Sequence, residues 1–186
     1  AEILLALEGL QFETAKHPAF DHLGCTVTPG TVMQGGAFES MVPAEATAIV
    51  DVRLMPQQDV GEVLTAVSTI IEQVCQKRVG LQVEMFVKNQ LPAAAIGLKH
   101  PLSTIAQQHA EAMTGDRWPI RGAGPANEGY MLIEAGIPTL CGFGPTGGNA
   151  HGVDEWVDVA SLGTTTAVFA ATIRDYLTFL PRRAAD

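Results

Sequence analysis

The residues best suited to chemistry lie in a glycine-rich stretch built around one histidine. Residues 142–157 have the sequence GFGPTGGNAHGVDEWV, in which Asp154 and Glu155 follow His151 by three and four positions. A neutral imidazole binds zinc well, and a carboxylate commonly holds its second nitrogen. The stretch therefore makes His151 a candidate metal ligand, with Asp154 or Glu155 as the carboxylate that orients it. A single histidine in an ordinary hydrogen-bonded loop is the alternative.

A second candidate site lies on a strand in the first half of the chain. Arg53 follows Asp51 by two positions, so both side chains lie on the same face of an extended segment. A guanidinium can bind a carboxylate through two parallel hydrogen bonds. Arg53 is therefore a candidate for binding an anionic substrate, and an Asp51–Arg53 pair on a solvated strand face is the alternative.

Other reaction types find little support in the chain. It contains no GxSxG nucleophile elbow and no GxxxxGK[ST] phosphate-binding loop. Its three cysteines, Cys25, Cys75 and Cys141, lie far apart and form no CxxC pair, which argues against a disulfide framework and a thiolate zinc site. We expect neither acyl-enzyme nor nucleotide chemistry, and the cysteine usage favours a reducing cytoplasm.

The composition is typical of a globular protein and argues against two kinds of partner. Of the 186 residues 47% are hydrophobic, and 11 Lys and Arg stand against 20 Asp and Glu, for a net charge of −9. That charge repels polyanions, so nucleic acid is not an expected partner. No apolar run approaches the roughly 20 residues of a membrane span, so no association with a membrane is expected.

Hydrophobic periodicity predicts a single α+β layer in residues 1–91. The predicted elements are a helix over residues 1–10, strands over 25–36 and 46–54, a helix from 60 to about 78 and a strand over 81–88. This order corresponds to a ferredoxin-like layer that lacks its first strand. The helix at 1–10 has no capping residue, so we expect residue 1 to lie inside a helix and not at its start.

The second half of the chain, residues 92–186, is predicted to form an α/β domain. Its predicted elements are a helix opening at Pro101, a short strand at 118–121, a helix at 128–135, a buried strand at 137–143 and a final helix at 159–180. Alternating strands and helices predict a parallel or mixed open sheet, which binds ligands beyond the carboxyl ends of its strands.

The histidine stretch and the strand before it resemble a motif of a known enzyme family. Zinc-dependent amidohydrolases of the acetylornithine deacetylase, succinyl-diaminopimelate desuccinylase, aminoacylase and glutamate carboxypeptidase family carry a strand of the type gip…fGp, followed by a loop of the type aH..dE. The matching residues here are Ile137-Pro138, Gly142-Phe143-Gly144-Pro145, Ala150-His151 and Asp154-Glu155. In that family the histidine binds one of two metal ions, so the resemblance implies that role for His151.

The first half of the chain resembles the lid domain of the same family. The lid motif gG…NvvPa.a….D.R is matched by Gly35-Gly36, Val42-Pro43-Ala44 and Asp51-Val52-Arg53. The resemblance implies that Arg53 faces a substrate carboxylate. Ser40 occupies the position of a substrate-binding Asn, and its shorter side chain implies a different substrate end or a lost contact.

A glycine-rich turn at residues 122–127, GAGPAN, is a further candidate for substrate binding. Backbone N–H groups at such a turn, where it runs into a helix, can bind an anion, although an ordinary tight turn explains the same residues. The turn falls where the family has a substrate loop written ggtDa. The resemblance therefore makes Gly124 and Asn127 candidate substrate contacts, in a sequence that departs from the family's form.

The resemblance implies an activity to which this chain contributes only part. A complete relative uses two zinc ions to hydrolyse an amide bond of an N-acyl amino acid or small peptide. Its other metal ligands and its catalytic Glu precede the lid domain, and none can be located here. We therefore predict residues 1–91 to be an incomplete lid (dimerisation) domain and residues 92–186 to be the carboxy-terminal portion of the zinc-hydrolase domain. Alone, the chain is expected to be inactive and to bind zinc weakly or not at all.

The resemblance also implies a homodimer paired through the lid domain, which the exposed apolar face of the first helix and an unpaired strand edge would favour. Two alternatives from other functional classes stay open. One is a non-catalytic dimeric protein that retains the lid fold, and the other is a small-molecule-binding regulatory module built on the ferredoxin-like layer.

Overall fold

A computed structural model describes residues 1–12 and 16–183. It divides into two compact units, Ala1–Ala93 and Ala94–Asp186. The first unit contains α1 (Glu2–Glu8), a 3-10 turn (Pro18–Phe20), β1 (Thr26–Gly35), β2 (Ala46–Arg53) and α2 (Val60–Lys77). The second contains α3 (Pro101–Thr114), α4 (Gly129–Glu134), β3 (Gly147–Gly148), β4 (Trp156–Val157) and α5 (Val159–Arg183).

The first unit is organised around the antiparallel pair β1–β2. The register runs from Thr26 opposite Arg53 to Gly35 opposite Ala46, and it shifts between Pro29 and Val32. Pro29 has no N–H to donate to the ladder, and Gly30 next to it has a φ of +76°. The bulge therefore falls where the sequence cannot sustain regular pairing, and the predictions for both strands are confirmed.

Helices α1 and α2 build the core of the first unit. Leu7 of α1 is 1% exposed, and Val63, Val67 and Val74 of α2 are buried at helical spacing. Asp59 caps α2 by accepting a hydrogen bond from the backbone N–H of Gly61 at 2.6 Å. Both predicted helices are confirmed, but Leu7 lies inside the unit and is not part of an exposed face.

The predicted strand at residues 81–88 is wrong. The chain there has no ladder partner among the described residues, and its apolar side chains on both faces are exposed, from Val83 at 37% to Phe86 at 80%. Alternation predicts an extended backbone, but a strand also needs a neighbour to satisfy its N–H and C=O groups. The described part of this unit therefore shows two paired strands flanked by helices and does not confirm a ferredoxin-like layer.

The core of the second unit lies between α3 and α5. Ala106, Ala110 and Val168 are buried there together with Ser103 and Thr172. Helix α3 begins at Pro101 after His100, whose Nδ1 accepts from the N–H of Leu102 at 3.2 Å, and it ends at Gly115 in the left-handed conformation. The predictions for α3 and α5 are confirmed.

A polar contact joins the same two helices at their surface. His109 Nε2 of α3 lies 2.8 Å from Asp175 Oδ2 of α5, and Arg174 Nε donates to Asp175 Oδ1 at 2.6 Å. The hydrogen bond from Arg174, and to a smaller extent the one with His109, holds the pKa of the Asp175 carboxyl below its ordinary value.

The predicted strands at 118–121 and 137–143 are also wrong. Trp118 bonds back to α3 instead of to a neighbouring strand: its N–H reaches Glu111 Oε1 at 3.2 Å, and its indole N–H donates to Thr114 Oγ1 at 2.8 Å. Ile137 and Phe143 are exposed, so the second segment is not buried. In place of a parallel or mixed open sheet, the described residues of this unit form one short antiparallel ladder, β3–β4.

None of the described helices is both long and apolar enough to cross a membrane.

Candidate functional site

The candidate histidine lies at the tip of the β3–β4 hairpin. Gly147 pairs with Val157 and Gly148 pairs with Trp156. A Cβ at Gly148 would lie 2.8 Å from the Trp156 indole, and a Cβ at Gly147 would lie 2.8 Å from the Trp156 carbonyl oxygen. The hairpin closes only because these two positions carry no side chain.

The hairpin is attached to the first turn of α5. The N–H of Asp158 donates to the carbonyl of Thr146 at 2.8 Å, and the N–H of Thr146 donates to Ser161 Oγ at 3.0 Å. Asp158 Oδ1 in turn accepts from the N–H of Ala160 at 2.9 Å. The long helix therefore supports the base of the loop that carries His151.

Three residues in this loop hold left-handed backbone conformations without being glycine. The φ angles are +59° at Asn149, +62° at His151 and +61° at Asp154. Such a conformation costs on the order of 1–3 kcal/mol per residue and persists only where the surroundings impose it. Clustering of left-handed residues is typical of loops that present a functional group.

Neither carboxylate near His151 is hydrogen-bonded to its imidazole in the described part of the chain. Glu155 Oε2 accepts a hydrogen bond from the backbone N–H of His151 at 3.3 Å, not from its ring. Asp154 has no side-chain hydrogen bond with any described residue. Glu155 thus supports the backbone that carries the imidazole, and the exposed ring is left available to a ligand.

In the glycine-rich turn, the Asn127 side chain bonds to its own loop. Its Oδ1 accepts from the N–H of Gly129 at 2.9 Å, and its Nδ2 donates to the carbonyl of Pro125 at 3.2 Å. A Cβ at Gly129 would overlap the sulfur of Cys141 and lie 2.7 Å from Asn127 Oδ1. Both ends of the Asn127 amide are therefore occupied, while Gly124 is exposed in the same turn.

The first unit carries the two remaining candidates. Arg53 ends β2, and its Nε donates to Asp51 Oδ2 at 2.6 Å on an exposed strand face. Ser40 lies in the exposed turn between β1 and β2. The structure therefore shows the Asp51–Arg53 pair, and it brings Ser40 into no side-chain hydrogen bond with the described residues.

The fit of a metal ion depends on the donor side chains around His151. The described residues contain no group of three or more His, Cys, Asp or Glu side chains that could hold one. His151 offers one imidazole with no converging side chain, and a hydrolytic zinc site in proteins has three protein ligands. These residues do not by themselves form a metal centre.

Comparison with known proteins identifies the family. The model of peptidase family M20/M25/M40 matches residues 6–175. The chain belongs to this family. That confirms the resemblance stated from the lid and histidine motifs. Members of the M20 family are metal-dependent hydrolases of amide bonds.

Individual M20 relatives are considerably longer than this chain. A succinyl-diaminopimelate desuccinylase from Rhodopseudomonas palustris (strain BisA53) is 24% identical over 165 residues, which cover 86% of this chain and 42% of the relative. The crystal structure of an M20 family metallo-carboxypeptidase, Sso-CP2 from Sulfolobus solfataricus, matches with a TM-score of 0.56 and 18% identity, over 80% of this chain and 34% of the other. The structural likeness supports an M20 fold of mixed helices and sheet.

Sequence reasoning missed the residues that hold the histidine loop. Asn149, Gly152 and Trp156 were not singled out, although Asn and Gly are the residues that accept left-handed backbone most readily. Asn149 two positions before His151, with Gly152 directly after it, was the available signal. The β3–β4 pairing itself carried no such signal, since each strand has only two residues.

Proposed function

We propose that this chain is part of a metal-dependent hydrolase that cleaves amide bonds of N-acyl amino acids or small peptides. The observation that carries the proposal is the exposed His151, held at the tip of a closed hairpin in a chain of the M20 family. A metal ligand needs an accessible imidazole, and the hairpin fixes the backbone that carries this one. The relative named for desuccinylation acts on an amide of this kind, which is consistent with the proposed substrate class.

In this proposal His151 provides one ligand of a zinc site whose other ligands lie outside the described residues. The family resemblance assigns those ligands and the catalytic Glu to segments that precede the lid. Glu155 supports the His151 backbone through its N–H, and Asp154 remains available to the imidazole or to substrate.

Arg53 is proposed to bind the carboxylate of the substrate. Its pairing with Asp51 uses Nε alone, and the terminal nitrogens have no partner among the described residues. Those two nitrogens can bind a carboxylate end-on through parallel hydrogen bonds. Asp51 then orients the guanidinium instead of competing for it.

The first unit, which corresponds to the predicted lid domain, is proposed to pair with a second copy of itself in the cytoplasm. The segment at residues 81–88 exposes large apolar side chains, and its backbone has no ladder partner among the described residues, which is a costly surface to leave in water. Light scattering should show a dimer that Phe86→Asp dissociates. Val159→Asp, an equally exposed apolar position in the second unit, should leave the dimer intact. A monomer at all practical concentrations would refute this pairing.

The activity is tested on the native gene product, at whatever length the cell makes it. Zinc-dependent hydrolysis of a panel of N-acyl amino acids should be lost in His151→Gln, and Arg53→Lys should raise KM for substrates with a free carboxylate. His109→Gln, a histidine of α3 outside the loop, should retain activity. Activity that survives His151→Gln would overturn the proposal, as would a folded dimer with no hydrolysis, which fits a non-catalytic protein. Binding of substrate without turnover would favour the regulatory module.

A further inference from the structure

The side chain of Asn149 spans the loop that carries His151. Its Nδ2 donates a hydrogen bond to the carbonyl of Val153, and its own carbonyl accepts from the N–H of Gly152 at 2.8 Å. One residue therefore closes the turn from residue 149 to residue 153 through both its side chain and its main chain. His151 lies in the middle of the segment that is closed.

The lack of a side chain at Gly152 leaves room for the Asn149 amide. A Cβ on Gly152 would lie 2.5 Å from Asn149 Oδ1 and 2.8 Å from Nδ2. The amide and the glycine thus occupy neighbouring space inside the turn. Gly152 is not among the glycines with positive φ, so its lack of a side chain serves this contact and not a backbone conformation.

We propose that Asn149 is the positioning residue for His151. By bonding to Val153 it holds the intervening backbone in the left-handed conformation seen at His151, and so sets where the imidazole stands before any ligand binds. The consequence for catalysis rests on the proposed metal role of His151. The hydrogen bond from Asn149 to Val153, here called the clamp, involves only this loop and can be measured in the free chain.

A simpler explanation predicts a different outcome. Asn149 has a φ of +59°, and Asn and Asp are both tolerated there, so the residue could serve only to accept that conformation. Asn149→Asp keeps the shape of the side chain and the tolerance of a positive φ, but it removes the Nδ2 donor. Asn149→Gly keeps the backbone freedom and removes the whole side chain.

The test is NMR relaxation on the metal-free 186-residue chain, with the His151 signals assigned by comparison with His151→Gln. We expect the backbone order parameter of His151 to fall from about 0.85, the value of rigid backbone, to below about 0.6 in both variants. The relaxation of the imidazole carbons should show the same loss of order. The thermal midpoint should stay unchanged, because the loop is exposed. Asn127→Gly, which removes an equivalent amide from the other loop, should leave His151 ordered.

An unchanged order parameter in Asn149→Asp would overturn the clamp and leave only the conformational role. Gly152→Ala provides an independent arm, since its methyl group displaces the Asn149 amide without altering that residue, and it should mobilise His151 in the same way. A rigid His151 in Gly152→Ala would also overturn the proposal. No metal is present in these measurements, so they stand whether or not His151 proves to be a ligand.

Discussion

The two hairpins of this protein support their candidate residues by different means. The β1–β2 pair runs through eight residue pairs and lies beside α1, whose Leu7 is buried, and Arg53 lies on the strand itself. The β3–β4 pair has two residue pairs, and His151 lies in the loop between them. A long ladder spreads its stability over many backbone hydrogen bonds. A short ladder depends on a few glycines and side-chain hydrogen bonds, so single substitutions there should act locally.

The largest expected effect is in the core of the first unit. Leu7→Ala should lower the free energy of unfolding by about 2–5 kcal/mol, because it leaves a cavity where a buried leucine was. Urea denaturation followed by circular dichroism measures this. Leu5→Ala on the same helix is the matched control, since Leu5 is 68% exposed and should change stability by less than about 0.5 kcal/mol. Equal effects at the two positions would contradict the core described for this unit.

A glycine contact in the second unit should have the next largest effect. Gly129→Ala should destabilise that unit by about 1–3 kcal/mol, because the added methyl group overlaps Cys141 Sγ and crowds Asn127. Gly163→Ala in α5 is the control: nothing lies within 4 Å of its Cβ position, and alanine there should stabilise the helix by about 0.5–1 kcal/mol. Thermal unfolding of both variants compares them. If Gly129→Ala is as stable as the parent, the loop is not held by close contact.

Acid should weaken the second unit through Asp175. Its pKa is lower in the folded chain than in the unfolded chain, chiefly because of Arg174 and then His109. The resulting stabilisation is present above the ordinary carboxyl pKa near 3.8 and is lost as the pH falls through the lower, folded value. Asp175→Asn should therefore flatten the decline of stability with pH below about 4. Asp116→Asn, which removes an exposed carboxylate of the same unit, should leave the decline unchanged. An identical decline in both variants would count against the hydrogen bonds that Asp175 makes with Arg174 and His109.

The smallest expected effect concerns zinc. The 186-residue chain should take up zinc weakly, because a single imidazole without converging ligands has little affinity. Calorimetry of the metal-free chain should show the same weak signal in His151→Gln as in the parent. Tight one-to-one uptake that His151→Gln abolishes would mean that this chain holds more of the metal site than the described residues show.

Hydrophobic periodicity predicted the elements whose partners are local. Helix α2 satisfies its own backbone groups and shows its apolar stripe in one stretch of sequence, so its position was predictable to within one residue. Likewise β1 and β2 are close in sequence and pair with each other. The strands predicted at 81–88, 118–121 and 137–143 depended on distant neighbours, and periodicity contains no information about which segment lies alongside.

The candidate site shows the same division. The identity of His151 as the residue to examine, and the family to which the chain belongs, followed from motifs that are contiguous in sequence. Three side-chain contacts could not be predicted from the sequence, because each depends on backbone angles that the residue types permit but do not require. They are the contacts of Glu155 with a backbone N–H, of Asn127 with its own loop and of Asn149 across the turn.

The sequence by itself determined the helices, the β1–β2 hairpin, the acidic surface and the presence of an imidazole in a glycine-rich loop, since these depend on residue type and short spacing. Only the tertiary structure decided that Leu7 is core, that His109 joins α3 to α5, and that His151 stands on a two-residue ladder in a left-handed conformation. Those features arise where segments meet. The local sequence allows several conformations at these places. Packing, close approach to glycine and side-chain hydrogen bonds select one of them.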